Sequence, residues 1–328
     1  MTRKTRIKGL SLAILGLLSH PLLAADQKYP TKPIRLVVPF SAGGALDTTA
    51  RVLAERMSNH MGQPVVVDNR TGAGGIIGVD NVAKAAPDGY TLSISQTSQL
   101  LVNQFLYKKL AYNPNKDFTL VAKIADSPLV LVVSQTVPVK DAKELRAYLT
   151  ANQGKLSYGS WGVGTVGHLS ASKLNEVTGA KMTHVSYRGE VPMVQDIIAG
   201  NVQLAFTTGL QANMFLKSGK LKAIGVTGTS RLPTLPNVPT LAEQGFDSDV
   251  FKTVGWSAIA APAGTPPQII QRLADEVKLA TNLPEVRNRI NDLGFVANYT
   301  GPTEFAALYQ KQAPVWQAVV KESGASLD

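Results

Sequence analysis

Residues 34–61, IRLVVPFSAGGALDTTARVLAERMSNHM, decide the fold of this chain. They open with the apolar run 34–38, which lies between Pro33 and Pro39 and is typical of a buried parallel strand. A turn of small residues, 40–44, follows. The next apolar residues recur at helical spacing: Leu46, Ala50, Leu53, Ala54, Met57 and Met61. The sequence therefore predicts a strand, a glycine turn and a helix in succession.

The start of this helix has the properties of an anion site. The first turn of a helix leaves backbone N–H groups free and carries a partial positive charge. Gly43 and Gly44 have no side chain, so a ligand can approach the backbone closely and meet their N–H groups. An ordinary turn between strand and helix, with small residues for packing, explains the same stretch equally well.

Composition and the N-terminus indicate an exported globular protein. With 328 residues, 44% hydrophobic and 17% charged, the chain is long enough for two domains with sizeable cores. Residues 1–25 resemble a signal peptide: basic residues precede the short apolar run 10–18, and Ala24 and Ala25 offer a cleavage site. An uncleaved anchor is the alternative. We expect cleavage after Ala24 or Ala25 and an exported protein.

The charge and the cysteine count exclude several classes of protein. The formal net charge of +10 falls to +6 without residues 1–25, which carry four of the 33 basic and none of the 23 acidic residues. The remaining basic residues are scattered, so no nucleic-acid-binding stripe is predicted. There is no cysteine, and therefore neither a disulfide nor thiolate chemistry is expected.

A second glycine turn follows a second strand. The strand 64–68 leads into 69–78, NRTGAGGIIG, and the next strand, 90–95, ends in the polar residues 96–98. The glycine spacing resembles a dinucleotide-binding pattern, but no acidic residue follows the next strand to hold a ribose hydroxyl. No cofactor is expected. Thr97 lies where a ligand could meet hydroxyl groups at the strand ends, although it also suits an ordinary polar turn.

The middle of the chain repeats the strand, glycine loop and helix unit. After the apolar strand 129–133 and a helix at 141–152, the strand 156–160 leads into 161–168, WGVGTVGH, and another helix. Two such units in one chain predict two similar α/β lobes that face each other. Further predicted strands lie at 183–187, 204–206, 221–226 and 256–261.

The sequence offers little for catalysis. His60, His168 and His184 form no metal-binding motif, so no metal is expected. Ser160 and His168 would be the candidates for a nucleophile and a base, but Ser160 lacks the first glycine of the G-x-S-x-G motif. A helix start also disfavours a cationic imidazole at His168. A polar contact or an internally bonded histidine is the alternative.

Six motifs in order resemble the Bug family, the periplasmic substrate-binding proteins of tripartite tricarboxylate transporters. The resemblance covers essentially the whole mature chain. The motifs are PFSAGG at 39–44 with Asp47 and Arg51, DNRTGAGG at 68–75, AAPDGYTL at 85–92, the loop from Ser160 to His168-Leu169, YRG at 187–189, and NVPT at 237–240. Thr71 replaces a proline that is usual in the second motif.

The resemblance implies an α/β fold of the two-lobed periplasmic-binding-protein type (Venus flytrap, type II). Residues 26–127 and 251–328 would form the first lobe, and 128–250 the second. The lobes would close on a small carboxylate solute and pass it to membrane permease subunits. We expect a monomer that is not an enzyme and binds no nucleic acid. An exported α/β hydrolase using Ser160 and His168 and a solute sensor for a signalling receptor are the alternatives.

The resemblance and the strand ends together nominate the ligand-binding residues. In the first lobe these are Phe40, Ser41, Ala42, Gly43, Gly44, Asp47 and Thr97. In the second they are Ser160, Gly162, Gly164, Thr165, His168, Arg188, Gly189 and Glu190. Asp47 has a second explanation, because an acid in the first helical turn stabilises the helix dipole by about 0.3–1 kcal/mol.

Glu190 departs from the family, in which that position is usually small and uncharged. Two arrangements are open. In the first, Glu190 caps the helix that follows and points to water, and a dianionic ligand is bound. In the second it faces the ligand, where a second carboxylate would be repelled and an amino or hydroxyl group would form a charge-assisted hydrogen bond.

Overall fold

The described part of the chain has an α/β fold with two β-sheets, each covered by helices. The computed structural model describes residues 1–2 and 29–327, so the predicted signal peptide at 1–25 lies almost entirely outside the described residues. The first sheet has the order β11-β4-β10-β3-β1-β2. Its strands are β1 (Ile34–Val38), β2 (Val65–Asn69), β3 (Thr91–Gln96), β4 (Phe118–Ser127), β10 (Gly255–Pro262) and β11 (Val296–Thr300).

The second sheet has five strands in the order β7-β6-β8-β5-β9. They are β5 (Leu129–Ser134), β6 (Ser157–Ser160), β7 (Thr183–Ser186), β8 (Leu204–Thr208) and β9 (Leu221–Val226). Each sheet combines parallel and antiparallel pairs. Strand β1 is parallel to β2 and β3, and β6 to β7 and β8. Strands β10 and β5 run antiparallel to both of their neighbours.

The helices connect these strands and cover the sheets. They are α1 (Ala45–Met61), α2 (Ile76–Ala83), α3 (Asn103–Leu106), α4 (Ala142–Ala151), α5 (Val166–Thr178), α6 (Glu190–Ala199), α7 (Gly209–Lys217), α8 (Asp249–Lys252), α9 (Pro267–Asn282), α10 (Pro284–Asp292) and α11 (Pro302–Ser323). A π-helical turn, Ser98–Val102, follows β3. Within the described part of the chain, no helix is long and apolar enough to cross a membrane.

The opening prediction is confirmed. Strand β1 spans the predicted residues, and α1 buries all six residues of the predicted apolar face. That face packs against β1 and α9 in a core that includes Leu36, Leu53 and Val277. At about 25 cal/mol per Å² of buried apolar surface, such side chains are worth roughly 1.5–3 kcal/mol each. Burial of one helical face therefore fixes how α1, and the turn before it, sit on the sheet.

The chain passes between the sheets twice, and this defines the two lobes used below. We call the six-stranded sheet and its helices the first lobe, and the five-stranded sheet and its helices the second lobe. Strand β4 leads directly into β5 through Pro128, and the return to β10 follows α8. Helix α11 of the first lobe also reaches the second, where Glu322 pairs with Lys173 of α5 at 2.9 Å. The exact boundaries at 127/128 and 250/251 stay a prediction.

Several elements were not predicted: strands β4 and β11 and helices α3, α7 and α8. Strand β11 pairs only with β4, and none of its residues is fully buried, so it shows no apolar alternation. Helix α7 buries only Gly209 and Ala212 and therefore shows little helical patterning.

Candidate functional site

A cavity of about 360 Å³ lies between the two lobes. Seven of the predicted site residues line it: Phe40, Gly44, Asp47, Thr97, Gly164, Thr165 and Glu190. The other eight lie outside its wall: Ser41, Ala42, Gly43, Ser160, Gly162, His168, Arg188 and Gly189. The site is therefore assembled from the β1–α1 turn, the end of β3, the β6–α5 loop and the start of α6, which are distant in the sequence.

Helix α1 begins at the cavity wall. Gly44, Ala45 and Leu46 line the cavity, and no side chain caps the helix at Gly44. The backbone N–H groups of the first turn have no partner within the helix, because the first intrahelical bond runs from the Thr48 N–H to the Gly44 carbonyl. This helix end can therefore receive an anion from the cavity.

The carboxylate of Asp47 holds the glycine turn in place. It is 2% exposed and accepts hydrogen bonds from the Gly43 N–H (2.8 Å), the Arg51 Nε (3.0 Å) and the Asn69 Nδ2 (2.9 Å). Burial alone would raise the pKa of Asp47, but the bonds from Arg51, Gly43 and Asn69 outweigh it and keep the pKa below its usual range. The expectation that Gly43 presents a free N–H is wrong, because Asp47 accepts that bond.

Replacing Asp47 should loosen the turn. Asp47→Ala removes the acceptor of the Gly43 N–H and of one Asn69 amide hydrogen, although Asn69 Nδ2 still donates to the Phe40 carbonyl. Losing hydrogen bonds of this kind costs about 0.5–1.5 kcal/mol each. We expect urea denaturation to show a loss of about that size in the free energy of unfolding, together with weaker solute binding. Asp47→Asn retains one acceptor oxygen and should lose less. Equal stability of Asp47→Ala and the wild type would contradict this role.

The glycine loop of the second lobe is held by a network of hydrogen bonds. Ser160 is fully buried, and its Oγ donates to the Gly162 carbonyl (3.1 Å). Thr165 caps α5 by accepting from the His168 N–H, and its hydroxyl donates to the same Gly162 carbonyl. The Gly164 N–H donates to His168 Nδ1 (3.1 Å). Ser160, Gly162 and His168 thus shape the loop that presents Gly164 and Thr165 to the cavity.

The alternative that pairs Ser160 with His168 as nucleophile and base is not supported by the contacts of Ser160. The ring that contacts the Ser160 hydroxyl is His184, whose Nε2 lies 2.7 Å from Oγ. His168 stacks on His184 with ring centroids 4.0 Å apart, and the Tyr158 ring lies 5.0 Å from His184 and 6.3 Å from His168. Neither Ser160 nor His168 reaches the cavity wall. Ser160 is thus enclosed beneath the loop and does not line the cavity.

The two stacked histidines should make the protein sensitive to acid. Burial lowers the pKa of His168 from 6.5 to about 4, with His184 adding to the effect, and burial also lowers the pKa of His184. The unfolded chain therefore binds more protons than the folded chain between about pH 6.5 and 4. The neutral rings make their full contribution to the free energy of unfolding above that pH range, and this contribution is lost as the pH falls through it.

A comparison of unfolding free energies at neutral and acidic pH checks this expectation. Protonated His168 can no longer accept from the Gly164 N–H. In His168→Asn the amide oxygen can accept in its place and does not titrate, so the loss of stability in acid should be smaller than in the wild type. If the free energy of unfolding falls equally with pH in both proteins, other groups cause the acid sensitivity.

Glu190 does not point to water. It is the first residue of α6, and its carboxylate reaches the end of β8. Oε1 accepts from the Thr207 hydroxyl and the Thr208 N–H, both at 2.5 Å, and Oε2 accepts from the Thr208 hydroxyl at 3.0 Å. Burial raises the pKa of Glu190, although these bonds oppose the shift. Of the two arrangements open from the sequence, the structure shows the one in which Glu190 lines the cavity.

Arg188 and Gly189, which precede Glu190 in the chain, do not line the cavity. Arg188 is exposed and lies outside the cavity wall. Gly189 has φ +128°, a conformation that favours glycine, and it precedes the first turn of α6. Its role is to let the chain turn so that Glu190 faces inward.

Gln99 is a cavity residue that sequence reasoning missed. It belongs to the π-helical turn after β3 and is 4% exposed. Its Nε2 donates to the Gly74 carbonyl at 2.9 Å, whereas its Oε1 has no hydrogen-bond partner. The polar end of β3 pointed to this region, but only the π-helical turn brings Gln99 to the wall. Thr97, which was predicted, is occupied by backbone bonds with Trp256.

The lobes touch on two sides of the cavity. A Cβ placed on Gly164 of the second lobe would lie 1.9 Å from Leu106 Cδ2 of the first. A Cβ placed on Gly294 of the first lobe would lie 2.3 Å from the Leu210 N of the second. Both glycines have positive φ. The observed arrangement of the lobes therefore depends on the missing side chain at each position.

The charged residues that line the cavity are acidic. Its lining residues include Asp47 and Glu190 but no lysine, arginine or histidine. Asp47 is paired with Arg51, which lies outside the wall, at 3.0 Å. Among residues 29–327 there is no cluster of three or more His, Cys, Asp or Glu that could hold a metal ion. An anionic ligand would be bound by backbone N–H groups and neutral side chains.

Comparisons with known proteins agree with this architecture. The family described as tripartite tricarboxylate transporter family receptor matches residues 49–325. Protein BugT of Bordetella pertussis is 34% identical over 328 residues, which cover all of this chain and 99% of BugT. The structure of R. palustris Rpa4515 with adipate superposes with a TM-score of 0.81 at 33% identity, covering 91% of this chain and 100% of that one. The periplasmic binding protein BugD gives 0.77 at 33% identity, covering 91% and 99%.

Proposed function

Because this chain belongs to the tripartite tricarboxylate transporter receptor family, we propose that it captures a small carboxylate solute between its lobes and delivers it to membrane permease subunits. Its relatives of known structure are periplasmic binding proteins, and the chain is a solute-binding protein rather than an enzyme. The hydrolase alternative is thereby set aside. The binding of adipate belongs to the R. palustris relative, whereas the solute of this chain is our proposal.

The open start of α1 at the cavity carries the proposal. A carboxylate there would meet the N–H groups of the first turn and the positive end of a helix of 17 residues. Gly44, without a side chain, allows close approach. Because the cavity has no basic residue, this helix end is the place on its first-lobe wall best suited to a negative charge. The glycine loop of the second lobe would close over the ligand from the other side.

A thermal-shift screen against a panel of carboxylates tests this function. A ligand present at 100 times its Kd stabilises the folded protein by roughly 2.7 kcal/mol. Gly44→Val should abolish the shift in melting temperature, because the new side chain blocks close approach to the start of α1. Folding should be little affected, since Gly44 has φ −74° and an added Cβ would meet no atom closer than 3.7 Å. If Gly44→Val binds as tightly as the wild type, or if only neutral solutes give a shift, the anion site is elsewhere.

Delivery to a permease requires a test in cells. Deleting the gene should reduce uptake of the solute that the screen identifies, and restoring the wild-type gene should recover it. Restoration with Gly44→Val should not. Unchanged uptake in the deletion strain would argue against a transport role.

Export to the periplasm is also part of the proposal. The family and its relatives are periplasmic binding proteins, and residues 1–25 have the sequence features of a signal peptide. Mass spectrometry of protein from the periplasmic fraction should find a mature chain that begins at Ala25 or Asp26. An intact Met1 terminus in that fraction would contradict cleavage.

A further inference from the structure

We propose that the solute is an amino carboxylate, whose ammonium group binds Glu190 while its carboxylate occupies the start of α1. This inference rests on the proposed function for the carboxylate end and adds the chemistry of the other end. It makes Glu190 the residue that distinguishes amino carboxylates from dicarboxylates such as the adipate bound by the R. palustris relative.

Glu190 occupies a group of converging hydrogen-bond donors that would otherwise suit a ligand carboxylate. The Thr207 hydroxyl, the Thr208 N–H and the Thr208 hydroxyl converge on its two oxygens. The Thr208 N–H lies at the start of α7, which is the kind of position that binds anions. With Glu190 in place, these three donors are consumed. A dicarboxylate would find no free donor there and would meet a negative charge.

The charge of Glu190 has no partner in the protein. No lysine, arginine or histidine lines the cavity, and none of the ion pairs in the described part of the chain involves Glu190. A carboxylate offers about four acceptor positions, and the three bonds above leave one, on Oε2. An ammonium group of the ligand would complete the set with a charge-assisted hydrogen bond and would neutralise the charge within the cavity. An ammonium group carries three hydrogen-bond donors and suits an acceptor such as Glu190, whereas a carboxylate carries none.

Calorimetry with matched pairs of ligands tests the inference. Each amino acid is compared with the dicarboxylate of the same length: γ-aminobutyrate with succinate, δ-aminovalerate with glutarate, and ε-aminocaproate with adipate. Leucine and its des-amino analogue isocaproate form a fourth pair. At neutral pH we expect the amino member of at least one pair to bind at least tenfold more tightly than its partner.

Two variants of Glu190 identify the residue responsible. Glu190→Ala should weaken the preferred amino carboxylate at least tenfold and strengthen its dicarboxylate partner, because the Thr207 and Thr208 donors become free. Glu190→Gln removes the charge at nearly constant shape and should also lose the preference, which guards against a folding defect in the alanine variant. Glu304→Ala is the matched control, since Glu304 also lies in the first turn of a helix but is exposed and outside the cavity.

The possible results separate this inference from the proposed function. Tighter binding of dicarboxylates by the wild type, or an unchanged preference in both Glu190 variants, would overturn the role of Glu190 while leaving a carboxylate-binding protein. Dicarboxylates that bind more tightly as the pH falls would show that protonated Glu190 donates to a second carboxylate, which also overturns it. Failure of every carboxylate to bind would refute both.

Discussion

Gly294→Ala should weaken solute binding about 5–150-fold while both lobes remain folded. The added Cβ would lie 2.3 Å from the Leu210 N and 2.9 Å from the Gly209 carbonyl carbon. These are backbone atoms of the other lobe, so no side-chain rotation can relieve the clash. The variant must separate the lobes at this point. Because we expect the solute to bind the lobes in their observed arrangement, a cost of about 1–3 kcal/mol to that arrangement alone reduces affinity by that factor.

The matched control for this variant is Gly245→Ala. Gly245 has φ +84°, against +82° for Gly294, and a Cβ there would meet nothing within 4 Å. Both substitutions place alanine in the left-handed region, which costs about 1–2 kcal/mol, but only Gly294→Ala interferes with the other lobe. Calorimetric titration should show reduced affinity in Gly294→Ala alone. Equal affinities in the two variants would mean that the Gly294 contact is not needed for binding.

Gly164→Ala should weaken binding in a way that a second substitution can partly reverse. The new Cβ would lie 1.9 Å from Leu106 Cδ2 and 2.9 Å from Leu106 Cγ. Here the obstacle is a side chain, and Leu106→Ala removes it. We expect Gly164→Ala to lose about tenfold or more in affinity, and the double variant to bind more tightly than Gly164→Ala. A double-mutant cycle measures this coupling directly.

Gly154→Ala controls for backbone strain at Gly164. Both glycines have φ +76°, and a Cβ on Gly154 would meet nothing within 4 Å. Leu106→Ala alone opens a cavity in the core, where Leu106 is 3% exposed, and should cost about 2–5 kcal/mol of stability. Stability and affinity must therefore be measured for each variant. Additive effects of the two substitutions on affinity would contradict a contact between the lobes at this point.

Local order along the chain was predictable because burial leaves a periodic pattern. Strand β1 and helix α1 carry apolar residues at the spacing that a buried strand and a half-buried helix require. Strand β11 and helix α7 lacked such a pattern, because their residues are mostly only partly buried. Their positions depend on pairing with β4 and packing beside β8, which no window of sequence reports.

The location of the candidate site could be predicted from the sequence, but the role of each side chain in it could be predicted less well. The glycine turn before α1 and the loop before α5 both reach the cavity, as two strand and loop units facing each other suggested. The role of each side chain followed from partners distant in sequence. Asp47 bonds Asn69, 22 residues away, and Ser160 bonds His184, 24 residues away, rather than His168.

The amino-acid sequence by itself determined the α/β class and the succession of strand, glycine turn and helix. It also carried the motifs of a family resemblance that the family match confirms. These properties are local or are carried by contiguous motifs. Only the tertiary structure decided that Glu190 turns from the start of α6 to the end of β8, and that Gln99 joins the cavity wall. The physical reason is that burial and hydrogen-bond satisfaction of a polar side chain depend on groups brought together from both lobes, and those groups are neighbours only after the chain has folded.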